Sequence, residues 1–110
     1  TSDDYDNYPL LVEEIRDAMA DSGREYLLTM AVPVNPSKLY DGYDLGTMKS
    51  YVDWFHLMSY DIHGSWDDIA GSNTDLEYIA NTVENSILNR GVRGDQLVFG
   101  MAAYGRSMKL

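Results

Sequence analysis

Three short apolar runs, Tyr26 to Val32, Val52 to Tyr60 and Gln96 to Ala103, are separated by segments in which apolar residues recur every three or four positions. Short apolar runs bounded by turn residues read as strands, and the wider spacing reads as helix. Asn7-Tyr8-Pro9 predicts the opening of a first helix, with Asn7 as N-cap and Pro9 in the first turn. Leu11, Ile15, Ala18 and Met19 supply its apolar face, and Gly23 is a natural stop. Pro33 ends the first strand, Asn35-Pro36-Ser37 reads as a loop, and Leu45 to Ser50 as a short helix. Asp61 to Asn73 reads as a second loop. Thr74-Asp75-Leu76-Glu77 matches a capping box. Leu76, Ile79, Ala80, Val83, Ile87 and Leu88 then form one apolar face, closed by Gly91.

The order helix, strand, short helix, strand, helix, strand implies an α/β fold. Its right-handed crossovers would join three parallel strands. Two open edges on such a sheet are an aggregation hazard unless something covers them. The piece is therefore expected to belong to a larger sheet. Pattern alone admits either a doubly wound fold or part of a barrel. A chain that starts at Thr1 and stops at Leu110, just past an apolar run, reads as cut from something longer.

Charge and residue usage narrow the partners. The chain carries 18 acidic against 8 basic residues, net −10, so a phosphate backbone would be repelled and nucleic acid is not expected. No apolar run is long enough to cross a membrane, and no secretory signal pattern is present. With no cysteine, disulfides and thiolate metal sites are excluded. Nine Tyr and two Trp against two Phe favour surfaces with an apolar face and a polar tip. Carbohydrate suits such surfaces; core and rim packing would use the same residues.

In α/β sheets the ligand groups sit at the carboxyl ends of strands. The second run ends in Leu57-Met58-Ser59-Tyr60-Asp61. Alternation sends His56, Met58 and Tyr60 to one face and Phe55, Leu57 and Ser59 to the other. Tyr60 followed by Asp61 offers a phenol donor and a carboxylate at the sheet's mouth. A structural Tyr and a capping Asp would look the same.

Val52 to Asp67, VDWFHLMSYDIHGSWD, resembles the sixth barrel strand and following loop of family 18 glycoside hydrolases, the chitinases, with their Met-x-Tyr-Asp motif. Leu97 to Met108, LVFGMAAYGRSM, is similar to the seventh strand, Leu27 to Pro33 to the fifth, and Gly42 to Leu45 to a stretch between the fifth and sixth. The resemblance implies part of a (β/α)8 TIM barrel. Residues 1–110 would be a partial catalytic domain whose catalytic Glu lies on a strand upstream. The rest of the barrel would be required for folding.

The same resemblance implies a substrate-assisted retaining hydrolysis of β-1,4-linked N-acetylglucosamine polymers, with chitin or chito-oligosaccharide as partner and no cofactor. Tyr60 would donate to the acetamido oxygen, and Asp61 would accept from the bound sugar. Met58 would floor the reacting ring, Trp66 would stack on the leaving-group side, and Tyr104 and Arg106 would bind near the cleavage point. Ala31 would leave room for the acetamido group. Secretion is implied by the substrate's location alone. His56, where the family commonly has Asn, and Met108, where an aromatic is frequent, are departures. No metal role is expected for His56, because ligand spacing to His63 is lacking. Two other functions stay open: a chitinase-like lectin without the Glu, and a flavodoxin-like or nucleotide-binding domain. The latter would need a Gly-rich phosphate loop that the chain lacks.

Overall fold

A computed structural model describes residues 2–107. It begins with α1 (Ser2–Asp21), then β1 (Thr29–Pro33), α2 (Pro36–Gly42), α3 (Leu45–Met48) and β2 (Trp54–Met58). α4 (Leu76–Thr82) runs on through a π turn (Val83–Ile87) and a 3-10 turn (Leu88–Arg90). A further 3-10 turn (Gly94–Gln96) leads into β3 (Leu97–Phe99).

The three strands form one sheet in the order β1-β2-β3, and both pairings are parallel. Thr29 registers with Trp54, and Phe55 with Leu97. Val32, Phe55 and Leu57 are buried on one face, against Leu39, Leu45, Met48, Ile79 and Ile87 from the helical segments. The alternate residues Ala31, Trp54, His56 and Val98 are exposed on the other face. A doubly wound sheet carries helices on both faces, whereas a barrel wall carries them only outside. One-sided packing with successive parallel neighbours is the barrel arrangement, and the chain forms three strands of a (β/α)8 barrel with helices between them.

Away from the strand mouths, Asp53 ties the first helix to the sheet. Arg16 Nη2 donates to its Oδ2 at 2.6 Å, and the Leu28 N–H donates to the same oxygen at 2.8 Å. Arg16 Nε also donates to the Tyr51 carbonyl at 2.7 Å. These bonds hold the Asp53 carboxyl below its usual range, the Arg16 bond contributing most. Buried Gln96 donates to the Lys49 and Val52 carbonyls, both at 3.0 Å, and anchors the entry to β3.

Five readings need correction. The first helix starts at Ser2 and runs through Pro9, which lies inside it and not at its opening. Asp3 and Asp4 favour the earlier start by facing the positive end of the helix dipole. Its buried side is centred on Val12, with Tyr8 packed edge-on against Tyr43 at 5.6 Å, while Leu11 and Ile15 are exposed. Contact with α2 and α3, which periodicity cannot see, selects that side. Asn35-Pro36-Ser37 is a helix start and not a loop: Asn35 accepts from the Lys38 N–H at 3.1 Å, and Pro36 takes the first helical position. α4 is capped by Asp75, not Thr74, through a 3.0 Å bond from the Tyr78 N–H. The strands are also shorter than the apolar runs that announced them. Met108 lies outside the described residues.

Candidate functional site

β2 delivers Ser59, Tyr60 and Asp61 to the carboxyl end of the sheet. Ser59 is buried and donates to the Gly100 carbonyl at 2.8 Å, while the Gly100 N–H donates to the Leu57 carbonyl at 2.8 Å. These two bonds bind the segment after β3 to the end of β2. A side chain at Gly100 would meet the Leu57 carbonyl at 2.7 Å and the Tyr60 ring at 2.8 Å, so only glycine permits this approach.

Asp61 then turns the chain with φ 57°, a left-handed conformation that Asp tolerates better than most residues. Its Oδ1 accepts from the Tyr104 hydroxyl at 2.7 Å, from Arg106 Nη2 at 2.6 Å and from Arg106 Nε at 3.0 Å. The Tyr104 hydroxyl first, and Arg106 second, hold the Asp61 carboxyl below the usual carboxylate range. Reciprocally, the bond to Asp61 raises the Tyr104 phenol and the Arg106 guanidinium above their ordinary values. Tyr60 and Tyr104 meet edge to face at 6.3 Å, and the Arg106 guanidinium lies 5.4 Å from the Trp66 ring centre. Trp66 itself is well exposed and folds over Gly64, where a Cβ would overlap its ring.

Met58, Tyr60 and Asp61 line a cavity of about 260 Å3 with Pro33, Asn35, Lys38 and Tyr78. A wider hollow of about 520 Å3, bordered by Asp4, Tyr8 and Tyr43, lies between α1 and α2 and contains none of the strand-mouth groups. The smaller cavity is the one with convergent chemistry. It pairs a phenol donor with a carboxylate held below its usual range, and among the described residues no Glu lines it. Such a site can orient and polarise a bound amide and hydroxyls.

Tyr60, Asp61, Trp66, Tyr104 and Arg106 thus come together, and Met58 joins them through the cavity. Ala31 does not: it is exposed on the open sheet face beside His56, outside the cavity lining. Among the described residues no group of three or more His, Asp or Glu is placed to hold a metal ion. Sequence reading missed Lys38, Asn73 and Gly100. A glycine inside a strand run signals close backbone approach and could have flagged Gly100; Asn73, at the end of a polar loop, carries no such signal.

The whole chain, residues 1–110, matches the family model described as Glycosyl hydrolases family 18. It is 36% identical over 112 residues to Probable chitinase 2 of Drosophila melanogaster, covering 96% of this chain and 23% of that protein. It is 28% identical to the oviduct-specific glycoprotein of Sus scrofa, covering 94% of this chain and 22% of that one. The Ostrinia furnacalis Group IV chitinase, solved in complex with allosamidin, superimposes with a TM-score of 0.78 at 28% identity, over 92% of this chain and 30% of that one. The chain therefore spans less than a quarter of the length of these two curated relatives.

Proposed function

The chain belongs to glycosyl hydrolases family 18, and on that footing we propose that its parent protein hydrolyses β-1,4-linked N-acetylglucosamine polymers. The observation that carries this reading is the convergence of Tyr104 and Arg106, from beyond β3, on Asp61 beside Tyr60. In the proposed reaction the sugar's own 2-acetamido oxygen attacks the anomeric carbon, one of the known exceptions to two-carboxylate hydrolysis. The Tyr60 hydroxyl donates to that oxygen and stabilises the charge that develops on the oxazolinium-like intermediate. Asp61 Oδ1 is occupied by three donors, so Oδ2 is the oxygen we assign to the bound sugar. Met58 floors the ring, Trp66 stacks on the leaving-group side, and Tyr104 and Arg106 bind near the cleavage point. A Glu on a strand upstream of Thr1 protonates the leaving oxygen. Residues 1–110 are a partial domain that needs the rest of the barrel to fold. Secretion follows from where the polymer is found; no helix among the described residues is long and apolar enough to cross a membrane.

Tyr60→Phe in the full-length parent tests the assignment. Turnover of a chito-oligosaccharide should fall by about 10²- to 10³-fold, the scale of losing one such donor. Near-wild-type turnover would overturn the role of Tyr60. A second reading, a chitinase-like lectin, draws on relatives named oviduct-specific glycoprotein and not chitinase. It requires that the parent bind chito-oligosaccharide without cleaving it, and product analysis after prolonged incubation separates the two.

A further inference from the structure

We propose that Asn73 is the positioning residue that aims Asp61 into the site, an inference that rests on reading Asp61 as a sugar-binding carboxylate. Among the described residues Asp61 is the single non-glycine position with positive φ, 57°. Asp tolerates that region better than most L-residues, but it still costs energy that the surroundings offset. The side chain that does so comes from the far end of the loop: Asn73 Oδ1 accepts from the Asp61 N–H at 3.1 Å. The Asn73 carbonyl accepts from the next amide, Ile62 N–H, also at 3.1 Å. Successive amides are thus caught by one residue, which closes the loop carrying Trp66. On its other side Asn73 Nδ2 faces the Tyr104 carbonyl at 3.5 Å, a weaker contact but one to the segment that supplies Asp61's partners.

The direction of a carboxylate on a two-bond side chain follows its backbone. Without the Asn73 acceptor, the Asp61 amide loses its partner and the residue relaxes toward ordinary φ. That swing carries the carboxylate away from Tyr104 and Arg106. Asn73 therefore acts through Asp61 and not on the sugar.

The test uses the full-length parent and a soluble chito-oligosaccharide. Asn73→Ala should lower kcat/KM about 10- to 100-fold, the scale of a misplacement near 1 Å. Added to Asp61→Ala, it should cost less than about twofold more, because residues acting as one unit are not additive. Asn73→Asp, which keeps an acceptor oxygen, should recover at least about fivefold over the alanine variant. Losses that multiply in the double variant, no recovery by Asn73→Asp, or an unaffected Asn73→Ala would each overturn the inference. Should Asn73→Ala fail to fold, Asn73→Ser, too short to reach the amide, carries the same outcomes. If Asp61→Ala alone retains full activity, the reading of the site has failed and Asn73 falls with it.

Discussion

Arg106 reaches Asp61 across 45 residues of sequence and donates to Oδ1 from Nη2 at 2.6 Å and Nε at 3.0 Å. Both side chains are 39% exposed, so the pair adds little to stability, as is usual for ion pairs open to water. Its worth lies in orientation: it fixes which carboxylate oxygen is occupied and keeps the group charged.

A pH dependence follows from that charge. The Tyr104 hydroxyl and Arg106 lower the folded-state pKa of Asp61, so these contacts are intact above the ordinary carboxylate range. They are lost only as pH falls through the depressed value. The acid limb of kcat/KM due to Asp61 should therefore lie below that range. Tyr104→Phe or Arg106→Ala should move it upward, and a pH–rate series on the full-length parent would show a fixed limb if Asp61 is not involved.

Gly100→Ala should disturb the site from behind. The added methyl meets a strand carbonyl at 2.7 Å and the Tyr60 ring at 2.8 Å, and the carbonyl is held by a hydrogen bond from Gly100 itself. The ring has to move. We expect about 1–3 kcal/mol of destabilisation and about a 10- to 100-fold loss of turnover. Denaturant melts together with kinetics separate the two effects.

Asp53→Ala should cost about 1–2 kcal/mol, a charged hydrogen-bond contribution reduced for partial exposure. It removes the bonds from Arg16 and Leu28 that tie α1 to the strands. Because the folded pKa of Asp53 is lowered, its contribution is present above the ordinary carboxylate range and disappears as pH falls through the folded value. The stability gap between wild type and Asp53→Ala should accordingly narrow in acid, as read by urea melts across pH.

Leu39→Ala should cost about 2–5 kcal/mol, since Leu39 is fully buried among the core side chains and leaves a cavity when truncated. Activity per folded molecule should persist, because Leu39 lines neither the Tyr60 cavity nor its mouth.

The isolated residues 1–110 should show no hydrolysis and weak thermal cooperativity. One sheet face exposes Ala31, Trp54, His56 and Val98 to water, and a closed barrel takes about 250 residues. Product release from chito-oligosaccharide by the purified piece would refute the placement of its acid upstream.

Much of the fold was legible because its signals are local. The alternation of apolar runs and helical spacing predicts parallel strands joined by helices, and Tyr60 next to Asp61 marks a strand mouth. The buried face of α1 was misread because packing on α2 and α3, not spacing alone, selects Val12 over Leu11 and Ile15. Asn35-Pro36-Ser37 was misread because the residues that interrupt one element also begin the next.

Residue order by itself determined the element types and the parallel, right-handed crossovers, since propensity and periodicity act over a few neighbouring positions. Tyr60, Asp61, Trp66, Tyr104 and Arg106 were pointed to by the motif resemblance and not by periodicity. Only the tertiary structure decided that helices cover a single sheet face, that Tyr104 and Arg106 share one oxygen of Asp61, and that Gly100 and Asn73 hold the arrangement. Those contacts join positions 12 to 45 residues apart, and their geometry comes from strand register and loop closure, which no local pattern encodes.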